Sequence, residues 1–518
     1  MQVRPAQFDA IANAGIRKLN WATLISFDKA YDSDITFFTL DQSQLNGMDI
    51  LAPVDDNPLQ VWDFYEYINY TERLLNMTVD MRLDFPYSVV STIADFTLNN
   101  YDDYFTPLGS SPIAPYILPK RPVRLLMGFK NTNLPQFVGL TKGNPDISDE
   151  NKTASFTAYD FLTQIFDMPI RDTIAMANVR TDEVLANIFA QFGLAPTQYD
   201  LGKGRNVIPF LFFEKDQQTA GDVIRYLMQA EMGWLWLAED GINRFKPRLE
   251  QPTAPSYLFD DTNINSASVV DKDDIINRVV INTDVRKLQE YQYVYSKPDS
   301  SSELHVVPAS ASETHEFALQ DPCLVIEEPD FGDYAGVSWF TAALPSGASV
   351  LSNVSITSVE LKTNAYAITF QNTNAFAVNI NEIWLYGRPG KRISLEPLIY
   401  ENKEQDSIDK YEDNLLEISN NFIQSVDQAR SLAYTILDEY SEYADVIELD
   451  VKGNPAIQLS DIVTVDYENY SAEYRVIGIK NSMTGSQFTQ VLTLRKYTPR
   501  TWFQLDVSLL NGTDNLAP

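Results

Sequence analysis

SVDQARSLAYTILDEYSEYADVIELDVKGNPAIQLSDIVTVDYENYSAEYRVIGIKNSMTGSQFTQVLTLRKY, residues 425–497, holds the plainest local signals in this chain. Ser425, followed three residues later by Gln428, has the spacing of a capping box, in which two side chains satisfy the free N–H groups that open a helix. Val426, Ala429, Leu432, Ala433, Ile436, Leu437 and Tyr440 then recur at three- and four-residue steps, while Asp427, Gln428, Arg430, Asp438 and Glu439 mostly face outward. The spacing predicts a helix with one apolar face. Beyond it the period changes to two: Ile447, Leu449 and Val451 alternate with Glu448 and Asp450, and Asn454-Pro455 breaks the run before 462–465 begins another. Two more strands are expected over 474–479 and 488–495, joined by the turn-rich stretch 481–486. The predicted unit is one helix against four short strands, a small barrel or curled sheet.

A second strong block runs over 81–141. In ADFTLNNYDDYFTP, Phe96 and Leu98 share a face before the turn chemistry of Asn99, Asn100 and Asp102. Ser110, Ser111, Pro112 and Pro115 predict an extended, helix-free connection, and strands return over 121–129 and 136–140. A strand, a tight turn, a Pro-rich connection and a strand pair make a half-barrel. SPIAPYILPKRPVRLLMGF and LPQFVGLT here, with GNP, IQLSDIVTV, EYRVIGI and FTQVLTLRKY some 300 residues later, stand in the order found in the tail hub proteins of bacteriophages, and the chain resembles that family. It includes the central baseplate proteins of contractile tails and the N-terminal hub portion of tail-associated lysins. Relatives usually carry a glycine next to the aspartate in the loop before the second strand, whereas Ser460 precedes Asp461 here.

Length and charge set bounds. At 518 residues the chain is too long for one core and suggests three or four domains. No stretch approaches the ~20 apolar residues that span a bilayer, so no membrane segment is expected. Arg4, Asp9 and Arg17 interrupt the N-terminal apolar residues, which argues against a signal or transit peptide. One cysteine, Cys323, rules out an internal disulfide framework. Lys plus Arg number 39 against 71 Asp plus Glu, a net charge of −32, which disfavours binding DNA through its phosphates.

Between the two blocks the period of the apolar residues changes several times. A lead-in helix is expected over 8–19, then strands over 21–27 and 35–40. The aromatics Trp62, Phe64, Tyr65, Tyr67 and Tyr70 read as packing or a subunit interface, with a sugar-binding surface as the alternative. Thr181 is expected to cap a helix through Asp182, Glu183, Leu185, Ile188, Phe189 and Phe192 that stops at Gly193. Thr219 and Asp222 repeat the device for Val223, Ile224, Leu227, Met228 and Glu231, and WLWLAEDGINRFKPR predicts a hairpin with a type I′ turn at Asp240-Gly241. Gly202-Lys203-Gly204 lacks the spacing of a phosphate loop and reads as a turn. A strand is expected over 277–284. Short alternating strands separated by Asn-rich turns then predict a β-sandwich over about 296–392, an inserted decoration or, alternatively, a carbohydrate-binding module.

The chemistry-bearing residues form no constellation. His305 and His315 are the only histidines, and neither an HExxH motif nor a Cys/His cluster supplies zinc ligands. No G-x-S-x-G elbow backs a serine triad. Asp261, Asn263 and Asn265 imitate the start of a calcium loop, but Ser266 stands at the glycine position and Lys272 at that of the bidentate glutamate. Asp273-Asp274 and Glu327-Glu328 have the residue type a glycosidase uses, yet with 71 acids such pairs arise by chance. No catalytic, cofactor-binding or metal-ligating residue is singled out, and no cofactor and no enzymatic activity is expected.

The expected fold is α+β and predominantly β. It comprises a first β-barrel hub domain over 1–159, an α/β domain over 160–265, a strand contribution to a second barrel over 266–295 and the inserted sandwich over 296–392. A linker, helix and second barrel follow over 393–497, with a tail over 498–518. The family resemblance implies that three chains place two barrels each into a ring of six, at the tail tip or baseplate of a virion assembled in the bacterial cytoplasm. Implied partners are the tail tube or distal tail protein, the tape measure protein, and tip fibre or receptor-binding proteins, with DNA passing the channel without specific binding. The alternative is a β-rich polysaccharide-binding or polysaccharide-degrading protein with an accessory sandwich.

Overall fold

The fifteen-residue strand Tyr470–Thr484 is the backbone tie of the molecule; at ~3.3 Å per residue it runs about 50 Å. The computed structural model describes residues 2, 8, 19–27, 67–83, 87–129, 132–248, 254–270, 275–290, 292–297, 305–326, 340–343, 353–362, 365–393, 397–443, 445–485 and 487–497. One edge of the long strand pairs, from residue 474 to 484, with Gln487–Lys496. The other edge is divided: residues 470–475 pair with Ile462–Tyr467, and residues 478–484 pair with residues 76–82 of the N-terminal block. The two sequence blocks therefore belong to a single 14-stranded sheet, running from Ile264–Val269 through Val446–Val451 to Leu19–Ile25 and Ile68–Asn69. They also share one hydrophobic core, in which Phe96, Leu125 and Phe156 join Leu449, Val463 and Leu494.

This corrects the expectation of two closed barrels. Among the described residues no sheet closes on itself, because the edge that would close the C-terminal half is used to pair with the N-terminal half. The connection expected to be free of helix contains one 3-10 turn, Ala114–Tyr116, with Pro115 in it. The expected strand over 35–40, and most of the lead-in helix over 8–19, lie outside the described residues; Phe8 packs on Phe129 with ring centroids 5.3 Å apart.

Five helices are described: α1 (Phe161–Phe166), α2 (Thr181–Gln191), α3 (Ala220–Glu231), α4 (Gln405–Tyr411) and α5 (Val426–Tyr440). The capping box of α5 is present, with Ser425 Oγ accepting from Gln428 N at 3.1 Å. Its apolar face does not rest on the C-terminal strands as the local pattern suggested. It covers a separate three-stranded sheet in which Arg278–Thr283 lies between Leu398–Lys403 and Leu415–Asn420, and Leu432, Ile436 and Val279 enter one core with α2 and α3. Residues 278–283 thus serve this sheet, and Ile264–Val269 is the strand that joins the C-terminal half.

Thr219 caps α3, its Oγ1 accepting from Asp222 N at 3.1 Å. Thr181 is not the cap of α2. Residue 180 holds that position, with Glu183 Oε2 accepting from Arg180 N at 2.9 Å. The hairpin of Trp234–Leu237 and Asn243–Lys246 has Gly241 at φ +85°, but Gly241 N donates to Ala238 O. It is a five-residue loop with glycine at the left-handed position, because Asp240 does not take the positive φ that a type I′ turn requires.

The strand pair continues outward: Arg286–Leu288 also pairs with Val378–Arg392, which carries four further strands. A three-stranded sheet of Ala311–Ala318, Ala365–Asn372 and Val354–Lys362 faces them over Phe317, Ile368, Phe370, Ile380 and Leu385. Two sheets on one core make a sandwich.

Candidate functional site

The two blocks meet at a buried chain of amides. Asn481 Nδ2 donates to Gln136 Oε1 at 2.8 Å, and Gln490 Nε2 donates to Asn481 Oδ1 at 2.9 Å. Gln490 also clasps Asn454, accepting from its backbone N at 2.9 Å and donating to its carbonyl at 3.2 Å. Gln136 Nε2 donates to Pro455 O at 2.9 Å, and Gln2 is joined to the same place by its N to Ala456 O and its Nε2 to Pro135 O. Gln136, Asn454, Asn481 and Gln490 are each at most 2% exposed. Satisfied polar networks in a low-dielectric interior specify one arrangement, because every displaced partner leaves a costly orphan.

Sequence reading passed over these residues, yet a signal was there. Phe488, Gln490, Leu492 and Leu494 occupy successive inward positions of one alternating strand, so Gln490 is an amide where the pattern calls for an apolar side chain. Gln136 and Asn481 break inward rows in the same way.

Two buried glutamates brace the α/β module. Glu231 in α3, fully buried, accepts from Thr181 Oγ1 at 3.0 Å, Arg205 N at 2.9 Å and Asn206 N at 2.7 Å. Arg248 Nη1 lies 3.9 Å from its carboxylate, and burial lowers the Arg248 pKa. Thr181, expected as a cap, is instead a ligand of this carboxylate. Glu239, in the hairpin loop, accepts from Gln458 Nε2 at 2.8 Å and so ties the module to the C-terminal half. Burial pushes its carboxyl up to about 7, with Asp240 adding to the effect and the Gln458 amide and Arg244 opposing it.

The other residues singled out by sequence do not converge. His305 and His315 pack on each other as tilted rings in the sandwich, 4.8 Å between centroids, with His305 against Phe317 and His315 near Phe370. Among the described residues no group of three or more His, Cys, Asp or Glu is placed to hold a metal ion. Asn263 is spent inside a turn, accepting from Asp260 N at 3.0 Å and donating to Leu258 O at 3.2 Å, and Asn265 donates to Asp450 at 3.1 Å. Gly204 N donates to Asp182 Oδ1 at 2.9 Å, a turn contact. Cys323 is buried, its thiol pushed up to about 11 by burial. Tyr70 is core, packed on Phe27 and Phe105, and Tyr67 lies under Arg124. Trp62, Phe64, Tyr65, Lys272, Asp273-Asp274 and Glu327-Glu328 lie outside the described residues.

An open cleft lies where the module, the three-stranded sheet and the sandwich meet, lined by Phe213, Tyr226, Arg286, Asn420, Phe422 and Gln424. Gln424 closes its floor by donating to Phe210 O at 2.6 Å and accepting from Phe210 N at 2.9 Å, as a neighbouring strand would.

No protein-family model and no curated protein matches the chain. Among solved structures it is similar to phage tail proteins. The 43 kDa tail protein of prophage MuSo2 from Shewanella oneidensis aligns at 9% identity and TM-score 0.45, covering 83% of this chain and 95% of that one. The tail protein from Neisseria meningitidis MC58 aligns at 10% identity and TM-score 0.45, covering 83% and 94%. Prophage tail protein gp18 from Listeria monocytogenes EGD-e follows at 11% identity and TM-score 0.38, covering 84% and 92%.

Proposed function

We propose that this chain is the structural hub of a phage or phage-like tail tip or baseplate, a homotrimer whose ring joins the tail tube to the tip and lets DNA pass. The observation that carries the reading is the joining of the two hub-like sequence blocks through one divided strand edge and one buried amide chain. Each chain then presents two half-barrel units in fixed relation, and threefold repetition gives six, the number a hexameric tube needs. The strand Ile264–Val269 ends the large sheet with no further strand beside it among the described residues, and Val269 is 56% exposed. A closed ring covers such edges, which otherwise invite uncontrolled pairing.

The chain's charge fits the passage of DNA. A surface at −32 repels phosphate and gains no counterion release from contact. In this reading the role is mechanical and not enzymatic. The neighbours are the tail tube or distal tail protein above, the tape measure protein within, and fibre or receptor-binding proteins outside, in a virion assembled in the host cytoplasm. Light scattering on the purified chain tests the stoichiometry: a mass near three chains of 58.7 kDa is expected, and a monodisperse monomer at all concentrations overturns the ring.

A further inference from the structure

The neck of the sandwich is a basic ribbon in an acidic protein. Arg286–Leu288 runs antiparallel to the end of Val378–Arg392, with Arg286 opposite Arg392 and Lys287 opposite Lys391. On one face Arg286 Nε and Arg392 Nε reach the two oxygens of Asp284 at 3.0 and 2.9 Å, so one carboxylate answers two guanidinium groups. Gly390 on that face abuts Phe210, where an added Cβ would stand 2.4 Å from the ring, so the arginine face is turned toward the α/β module. The other face carries Lys287 and Lys391. Both are exposed, and neither has an ion pair within 4 Å among the described residues. Like charges directly opposed across two strands are destabilising, so an arriving anion would relieve a standing cost.

The opposite charge sits at the far end of the same strand pair. Arg278–Thr283 and Leu398–Lys403 are antiparallel, which places residues 401–414 about 20 Å from the neck at ~3.3 Å per residue. That end holds Glu401, Glu404, Asp406, Asp409, Glu412 and Asp413 against Lys403 and Lys410. Arg278 engages Glu401 and Asp413 at 2.8 and 3.0 Å, and Lys410 engages Glu442 at 2.9 Å. Glu404, Asp406, Asp409 and Glu412, on and beside α4, are exposed and carry no ion pair among the described residues. A separation beyond the Debye length of about 8 Å prevents the two ends from satisfying each other within one chain.

We infer that the Lys287–Lys391 face of one copy docks on the acidic face around α4 of a neighbouring copy. A patch that meets a different patch on an identical chain is a heterologous contact, the kind that generates rings. The inference rests on the ring of the proposed function and names the surface that holds it. A second copy is favoured over nucleic acid because the net charge of −32 repels a polyanion, while each copy brings its own acidic end.

The test is a charge swap on the full chain, read by light scattering across a concentration series. K287E/K391E and, separately, D409K/E412K should each raise the concentration needed for assembly by about tenfold or more, the effect of losing one close charge pair. Lysine near the C-terminus of α4 suits the helix dipole, so the acidic-side variant is not expected to unfold it; circular dichroism checks both. Mixing the two variants places reversed and native faces together only in part, whereas the fourfold swap in one chain should restore assembly to within about threefold of wild type. Wild-type trimers with unaffected variants, or a fourfold swap that stays dissociated, overturn the interface and leave the ring standing. A wild type that never associates overturns both. A short DNA duplex bound by wild type and released by K287E/K391E, with assembly unchanged, assigns the lysine face to nucleic acid and overturns the inference.

Discussion

Ser460 carries φ +66° in the loop between the motif Gly453-Asn454-Pro455 and the strand Ile462–Tyr467, and its buried Oγ has no hydrogen-bond partner among the described residues. The left-handed backbone is the conformation that favours glycine, since a Cβ there costs about 1–2 kcal/mol. Ser460→Gly should therefore stabilise the large sheet by about 1 kcal/mol, after the greater freedom of glycine in the unfolded chain is subtracted. A rise in the calorimetric midpoint is the expected result, and a fall would show that the serine is anchored. Glu239 gives a pH-dependent counterpart. Its folded pKa, pushed up to about 7, stands above its ordinary value of 4.5, so between these values the folded chain holds a proton the unfolded chain has released. Stability from this group is thus full below pH 4.5 and is lost as pH rises to 7, by about 3 kcal/mol at 1.36 kcal/mol per unit. Glu239→Gln keeps a partner for Gln458 and should flatten that slope in denaturant melts taken from pH 5 to 8; an unchanged slope would show that Glu239 is solvated. Gln490→Ala removes three hydrogen bonds of the amide chain, one to Asn481 Oδ1 and one to each backbone group of Asn454. A loss of about 2–4 kcal/mol is expected in urea melts, and a neutral result would mean that the junction does not bind the two halves.

At the scale of elements, what was legible was whatever rests on local spacing. The capping box at Ser425, the helix caps at Thr219, the alternation in Gln487–Lys496 and the turn at Asn99-Asn100 are all present, Asn100 Oδ1 accepting from Phe105 N at 2.7 Å. What α5 packs on was not legible, because an apolar face states that it is covered and not by what; Val279 and Ile418, the residues beneath it, come from far upstream and just before the helix. The division of the edge of Tyr470–Thr484 was equally hidden, since backbone N–H and C=O groups carry no sequence label. The junction amides were visible only as polar residues at inward parity. The stretch expected, from alternating strands between Asn-rich turns, to be an insertion is flanked by two strands that lie side by side, Arg278–Thr283 and Leu398–Lys403. Replacing residues 290–389 with a short Gly-Ser linker should leave the remaining chain folded, because closing a flexible loop costs only the logarithm of its length. Retained solubility and an unchanged melting transition for the large sheet are expected, while an insoluble product would show that the sandwich shares a core with the rest.

For the whole molecule, one sheet spans both sequence blocks, and the two buried tethers, the Gln136–Asn481–Gln490 chain and Glu239–Gln458, hold the blocks and the α/β module in register. Rigidity of this kind suits the proposed hub, which would present a fixed pattern to a tube. The net charge of −32 belongs to this scale as well, because in the proposed ring the repulsion of DNA would depend on where the acids stand. An electron-microscopy reconstruction of the assembled protein measures stoichiometry and charge placement together. The account predicts three chains about a threefold axis, two half-barrel units from each forming a ring of six, and an acid-lined channel or closed cavity on that axis; a monomer within assembled particles, or a basic channel, would contradict it.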